Sequence, residues 1–436
     1  MDFALLLLVN AVLFVRPGEI SSALSSWPIY QVLIIVCAAV SYGALCEQLS
    51  WDALRRSPIS LCVVLLWLAA VLSHLAQLAL EPAWDIAVEF GKVIVFYLLL
   101  VGLVNSTQRL RQFLRVLLLL ILVVAAIGML EYHGLVEIPG LTTLQERHWN
   151  DAAGEWDVYA RVRATGIFND PNDLSLILSL GFFLSLYCLG DRDLGTGRIL
   201  GLPAMALFLY ALKLTQSRGG LLGLLAGCVM LMRTRYGWKK TLLLSAVVVP
   251  VIVVAFGGRQ TNFDISSTDD TGQHRIQLWA EGMTELRTAP LFGIGANTYQ
   301  ERCGLVAHNS YVHGYTELGL VGGALFVSAF YFALWPLERL CGRTHAWPDD
   351  ELRRLHPYLL AIVTAYAVGL LSLSRNYVIP TYLVLGLVCC FLNLAVRART
   401  VSQREITFRL WPRIITVGGS TLMALYVGIQ LLVRWS

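Results

Sequence analysis

The chain has 436 residues, of which 57% are hydrophobic and 14% charged, with a formal net charge of +4. A soluble globular domain is usually about 45–50% apolar and about 25% charged. Both departures exclude an ordinary soluble enzyme and point to lipid as the solvent. A spanning helix needs about 20 residues, so a chain of this length can supply a dozen of them.

Apolar runs occur at 2–20, 27–46, 58–80, 84–104, 111–131, 172–190, 198–215, 217–234, 240–257, 312–337, 356–374, 377–396 and 411–433. The first is short and meets a break at Pro17-Gly18. Residues 198–234 read as two helices joined by a tight turn at Thr215–Gly219. The expected fold is therefore all-α, a polytopic membrane protein of about 12 transmembrane helices, with 13 as the rival count. It forms one integral membrane domain over 1–436, and two long polar connections interrupt it, at 132–171 and 258–311. The N-terminal segment lacks a basic region and a small-residue cleavage site, so it reads as a retained helix, not a signal peptide. No soluble domain is expected after the last run.

Loop charge gives an orientation, since cytoplasmic loops carry excess Lys and Arg. Counted from an inside N-terminus, the even connections are basic. They hold Arg55-Arg56, Arg109 to Arg115, Arg192 and Arg198, Arg233 to Lys240, Arg339 to Arg354, and Arg397 to Arg404. The two long connections then face outward and carry Trp149, Trp156, Tyr159, Trp279 and Tyr299. The working surface is expected on that side.

Arginines on the outer side depart from the charge rule. They are Arg161, Arg163, Arg218, Arg259, Arg275, Arg287, Arg302 and Arg375. Arg218 lies in Ser217-Arg218-Gly219-Gly220 between two apolar runs. A charge at mid-bilayer costs about 2.5–3.5 kcal/mol on insertion scales and less near the interface. Its guanidinium therefore needs a partner, and the two glycines could leave amides for an anion at a helix N-terminus. Arg161 and Arg163 alternate, so an extended segment would place both on one face. Two guanidiniums there suit a phosphate or pyrophosphate, which arginine binds bidentately. Asn169-Asp170-Pro171 reads as the cap of the next helix. Arg275 falls in the first turn of an amphipathic helix marked by Ile276, Trp279 and Met283. A cation there opposes the helix dipole, which a bound anion would relieve.

The long connection closes with His308-Asn309-Ser310-Tyr311, followed by His313 and Glu317-Leu-Gly319. His308 at the membrane edge can accept and return a proton near neutral pH. His313 lies five residues on, about 140° away on a helix, so the two histidines should not share a metal. Nine cysteines are present without a CxxC pair or a Cys/His ligand spacing, so neither structural zinc nor a disulfide framework is expected. No Walker A loop, dinucleotide fingerprint or kinase signature occurs. Neither metal nor cofactor is expected, and no nucleic-acid partner. The energy must come from the substrate or from a gradient.

Three segments in this order carry a resemblance. They are Ser217-Arg218-Gly219-Gly220 in a helix hairpin, the long loop with Arg275, Trp279 and Pro290-Leu-Phe-Gly293-Ile-Gly295, and His308-Asn309-Ser310-Tyr311 with Glu317-Leu-Gly319. Together the chain resembles the O-antigen ligase/polymerase superfamily of bacterial inner membranes, by motif over roughly 160–325 and by helix layout throughout. The resemblance implies a GT-C-like helical fold with a partly helical periplasmic loop. It also implies a glycan donor on undecaprenyl pyrophosphate. Pyrophosphate binding then falls on Arg218 and Arg275, and support of glycosyl transfer on His308. Arg161 and Arg163 join the binding set from their charge, and His313 and Arg375 are secondary candidates.

The expected activity is that of an O-antigen ligase, passing polysaccharide to lipid A–core at the periplasmic face of the inner membrane, among membrane lipids. The alternatives are a polymerase using the same donor, a protein-targeted oligosaccharyltransferase, which the absence of a C-terminal outer domain disfavours, and a transporter. For a transporter, His74 and Glu89 are the few intramembrane ionisable candidates.

Overall fold

A computed structural model describes the chain apart from residues 139, 142, 151–154, 258–270, 342–346 and 435–436, and apart from the side chains at 22, 147–150, 155–157 and 271. Arg259 and the side chains of Trp149 and Trp156 lie outside the described residues. The helices are α1 (Asp2–Val15), α2 (Pro17–Ile20), α3 (Ile29–Val40), α4 (Tyr42–Leu49), α5 (Trp51–Arg56), α6 (Pro58–Leu75), α7 (Leu80–Leu103) and α8 (Thr107–Tyr132). A hairpin of β1 (Leu144–Asn150) and β2 (Glu155–Arg161) comes next. Then follow α9 (Pro171–Leu189), α10 (Gly201–Leu214), α11 (Arg218–Phe256), α12 (Thr271–Thr288), α13 (Tyr299–Cys303) and α14 (Ser310–Leu340). The last are α15 (Asp350–Gly369), α16 (Ile379–Arg397), α17 (Gln403–Thr407) and α18 (Leu410–Leu432).

Local chemistry sets the helix starts. Asp170 accepts from the amides of Asn172 and Asp173, with Pro171 at the first helical position of α9. Asn309 caps α14 through the amides of Tyr311 and Val312, and Ser106 caps α8 through Arg109. Each side chain satisfies a donor that the first turn leaves without an intrahelical acceptor.

Among the described residues eleven helices are long and apolar enough to cross a membrane, or twelve if the broken pair α3 and α4 counts as one span. The polytopic all-α expectation holds. The count differs from 13 because the runs 217–234 and 240–257 fall in one 39-residue element, α11. A straight helix of that length would reach about 58 Å, nearly twice a hydrocarbon core of roughly 30 Å. Gly237 breaks it with φ 72° and ψ 168°, inside the basic stretch Arg233–Lys240. The 132–171 connection also departs from a plain loop. Its hairpin pairs Leu144 with Arg161 and Glu146 with Tyr159 in antiparallel register.

The described residues pack as two compact units. The first contains Met1–Ser41, Ser106–Thr261 and Arg353–Tyr366, so it holds the hairpin and α8 to α11. The second contains Tyr42–Asn105, Asn262–Leu352 and Ala367–Ser436, built around α6, α7, α12, α14, α16 and α18.

One polar cluster ties the first unit together between α9 and α10. Asp191, whose side chain is 2% exposed, binds Arg115 and also lies 3.4 Å from Arg354. It accepts from the Asp193 amide as well. Burial pushes the Asp191 carboxyl up, but Arg115 and Arg354 outweigh it and hold the group below the usual carboxylate range. A depressed carboxyl stabilises the fold above its unfolded pKa, and that contribution is lost as pH falls through the folded value. Asp191→Ala is expected to cost roughly 2–3 kcal/mol from the charged hydrogen bonds and the cap. Thermal unfolding in detergent at neutral pH checks this, and the gap to wild type should shrink below the carboxylate range.

Candidate active site

The residues singled out from the sequence fall in both units and are described within each. In the first unit, Arg161 closes β2 and is 6% exposed. Its Nε donates to the Thr215 carbonyl at 2.7 Å, Nη1 to Glu146 Oε2 at 2.8 Å and Nη2 to Asn172 Oδ1 at 3.0 Å. The Val162 amide adds a bond to the Leu214 carbonyl at 3.1 Å. The guanidinium thus fastens the hairpin to the start of α9 and to the α10–α11 turn. Protein acceptors engage three of its five N–H groups in this way, which makes Arg161 a fastener between these segments. The strand also ends at Arg161, so the alternation that would put Arg163 on the same face does not reach it; Arg163 is half-buried.

The turn that Arg161 holds delivers Arg218. Thr215 Oγ1 donates to the Leu212 carbonyl and accepts from the Ser217 amide. Gln216 takes a left-handed φ of 51°. Ser217 caps α11 by accepting from the Gly220 amide at 3.1 Å, so that amide is not left for an anion as the sequence suggested. Gly220 is needed for a different reason, since a Cβ there would meet Ser175 Oγ of α9 at 2.3 Å. Arg218 itself is the half-buried first residue of α11.

The second unit holds Arg275, His308, His313 and Arg375. Helix α12 buries Ile276 and Met283, as the spacing predicted, together with Ala280, while Trp279 is half-buried. Arg275 is half-buried, but α12 begins at Thr271, so Arg275 stands one turn further in than expected. The dipole argument weakens there, because the effect falls off within the first turn.

His308 is partly exposed and adopts φ 49°, uncommon for a residue other than glycine. Trp279 Nε1 donates to the Ala307 carbonyl at 2.6 Å on one side. Buried Asn309 caps α14 on the other. A backbone in this region costs on the order of 1–3 kcal/mol and persists only where its surroundings over-determine it. His308 thus precedes the helix, so the angle between it and His313 on a helical wheel does not apply.

Arg375 is carried to the same helix start. Ser310 Oγ donates to the Leu373 carbonyl at 2.6 Å and accepts from the Arg375 amide at 2.9 Å. Asn376 Nδ2 donates to the Ser310 carbonyl at 2.9 Å. Residues 373–376 are therefore bolted to the residue two positions after His308.

Sequence reading assigned no role to Glu317, yet it organises this unit. It is fully buried. Its carboxylate accepts from the Asn297 amide at 2.9 Å, the Tyr299 amide at 2.9 Å and the Tyr377 hydroxyl at 2.8 Å. His313 Nε2 lies 3.0 Å from the same carboxylate, and its ring stacks on Tyr299 at 5.1 Å. The contact orients the His313 ring with Nε2 donating to the carboxylate. The Tyr377 phenol is pushed well above its ordinary value by burial and by the Glu317 charge. A His-x-x-x-Glu spacing at i, i+4 on one helix was the signal that could have found the pair.

The motif Pro290-Leu-Phe-Gly293-Ile-Gly295 finds its reason here. Gly319 breaks α14 with φ 67°. The amides of Ile294 and Gly295 then bond the carbonyls of Thr316 and Glu317, while those of Leu320 and Val321 bond Pro290 and Leu291. Irregular backbone at membrane depth survives only when protein satisfies it. A Cβ on Gly293 would lie 2.2 Å from the Glu317 carbonyl oxygen, and one on Gly319 would lie 2.4 Å from Leu291. Gly319→Ala is expected to destabilise by about 2–3 kcal/mol, from the left-handed backbone and the clash combined. Comparing thermal midpoints of purified variants tests it.

His74, a candidate for intramembrane ionisable chemistry, ends α6 and donates from Nε2 to the Ala296 carbonyl at 2.9 Å. Ser73 and Gln77 hold the Ala296 amide and the Gly293 carbonyl. Glu89 pairs with Lys92 at 2.7 Å. His74 thus serves the packing described, while Glu89 and Lys92 form an exposed pair one turn apart on α7.

Residues 203–327 match the family model described as O-Antigen ligase. That stretch includes Arg218, Arg275, His308, His313 and Glu317 but not Arg161, Arg163 or Arg375. The chain is also 26% identical over 200 residues to the exopolysaccharide production protein ExoQ of Rhizobium meliloti (strain 1021), covering 38% of this chain and 46% of that protein. The match therefore spans less than half of the relative's length. The resemblance to the O-antigen ligase/polymerase superfamily drawn from the motifs stands on both findings.

Proposed function

We propose that this multi-pass membrane protein is an O-antigen ligase, moving polysaccharide from undecaprenyl pyrophosphate to lipid A–core on the periplasmic face of the bacterial inner membrane. The observation that carries the reading is His308, held left-handed between Trp279 and the Asn309 cap, with the Arg375 segment fastened to Ser310 beside it.

In this reading His308 removes the proton from an acceptor hydroxyl. The acceptor oxygen then bonds to the anomeric carbon as its bond to the pyrophosphate oxygen breaks, with inversion. The electron pair leaves on the lipid pyrophosphate, and arginine stabilises that charge. Such stabilisation, aimed where charge develops, is usually the largest catalytic term. Arg218 and Arg275 are the proposed pyrophosphate ligands, with Arg163 and Arg375 as further candidates and Arg161 positioning the turn that carries Arg218. The leaving group is already activated, so neither nucleotide nor metal is required.

A second reading, a polymerase joining repeat units on the same carrier, is favoured by the name of the relative, which speaks of exopolysaccharide production. Purified protein in nanodiscs, supplied with lipid-linked O-antigen and lipid A–core without nucleotide, separates the readings on a gel. Glycosylated core is the expected product. A lengthened donor with unmodified core would establish the polymerase instead.

A further inference from the structure

In the second unit, the end of α14 farthest from Ser310 gathers three arginines around two aromatic rings. Arg413 of α18 lies over the Trp335 ring at 4.1 Å from its centroid, and Arg339 lies over the same ring at 4.7 Å. Arg409 lies over Phe408 at 5.3 Å, and Arg413 approaches that ring at 5.8 Å. Arg339 and Arg409 are exposed, and Arg413 is half-buried. Among the described residues none of the three forms an ion pair or a side-chain hydrogen bond. Glu338 and Glu405 stand close in sequence yet pair with none of them.

We propose that this cluster binds the phosphate of an anionic phospholipid, in the leaflet at the opposite end of α14 from Ser310. Unspent hydrogen-bonding capacity is the first ground. Stacking occupies the face of a guanidinium and leaves its N–H edge, the part that grips phosphate oxygens two at a time. Arg413 Nη1 is buried and has no partner among the described residues, although buried donors are nearly always satisfied.

Uncompensated charge is the second ground. Arg409 is the N-cap residue of α18 with φ 52°, and Arg413 falls in the first turn. That turn holds no acidic residue, and no side chain caps it. Cations at this end oppose the helix dipole, so an anion from outside the chain relieves the arginines and the helix together.

Depth selects a lipid as the source of that anion. Helices α14 and α18 are each long and apolar enough to cross a membrane, and the cluster lies at an end of both. Phe408 and Trp411 are 48% and 52% exposed there, as aromatic side chains at a membrane–water interface are. Bilayer phosphates stand at the same level, and basic residues at a span end favour anionic headgroups. Nothing in this assignment depends on the glycosyl-transfer reading.

The test reconstitutes the full chain in nanodiscs with trace photoreactive phosphatidylglycerol or photoreactive phosphatidylcholine, and maps the labelled peptides. Phosphatidylglycerol is expected to label 335–339 and 408–413 on the order of tenfold more than phosphatidylcholine, the scale of one charge-assisted hydrogen bond. Arg409→Gln and Arg413→Gln should each lose most of that preference and keep labelling at the separate basic stretch 233–240. Arg413 packs on Trp335, so the exposed Arg409→Gln and Arg339→Gln carry the test if Arg413→Gln lowers the thermal midpoint. Equal labelling by the two lipids in wild type would overturn the site. So would a preference that survives in the arginine variants while their midpoints fall, because the arginines would then only brace the helices. Displacement of the label by inorganic phosphate at matched concentration would overturn the lipid as ligand.

Discussion

Purified His308→Ala is expected to lose glycosyl transfer by about 10²- to 10⁴-fold, the usual contribution of a positioned general base, while retaining lipid donor binding. His308 makes the case by its placement: φ 49°, partly exposed, between a buried Ala307 and a buried Asn309. Replacement by alanine removes the proton acceptor and leaves the Asn309 cap and the Trp279 bond in place, because both act on neighbouring atoms. The thermal midpoint should therefore move little. Donor turnover and donor affinity measured side by side decide the matter. Near-normal turnover would move the base to His313, whose Nε2 faces the Glu317 carboxylate.

The largest effect on stability is expected from Glu317→Ala. Four donors converge on that carboxylate: two backbone amides, the Tyr377 hydroxyl and His313 Nε2. Removing it leaves buried donors without an acceptor at a site with no exposure to solvent. Each such donor costs about 1–3 kcal/mol, and all four lose their acceptor together. A total loss above about 4 kcal/mol is expected on that basis, enough to release the loop 293–299 from the break in α14. Glu317→Gln keeps one carbonyl acceptor and should fall between the two. Limited proteolysis of the 290–299 loop and thermal midpoints measure this. An alanine variant with the wild-type midpoint and an equally protected loop would show that the carboxylate does not hold the break.

What could be read from the sequence divides along a physical line. Apolar runs of about 20 residues depend only on composition, so the polytopic fold was visible before any coordinates. A cap that depends on adjacent residues was visible too, in Asn169-Asp170-Pro171 at the start of α9. Interactions joining distant segments were not. Tyr377 meets Glu317 across 60 residues, beside the break at Gly319. The partners of Arg161, namely Glu146, Asn172 and Thr215, come from three separate elements. The hairpin of β1 and β2 gave no clean alternation, since its strands are largely polar and charged. Gly220 misled: it reads as a free amide for an anion, but its amide donates to Ser217 and the absence of a Cβ leaves room for Ser175.

The central claim is that glycosyl transfer uses the lipid pyrophosphate as leaving group with His308 as base. The most direct test follows release of undecaprenyl pyrophosphate from lipid-linked O-antigen by purified protein in nanodiscs, with lipid A–core present and nucleotide absent. Wild type is expected to release one lipid pyrophosphate for each glycan transferred, and His308→Ala to release almost none. Donor that stays intact with wild-type protein, or equal release by both proteins, would contradict the account.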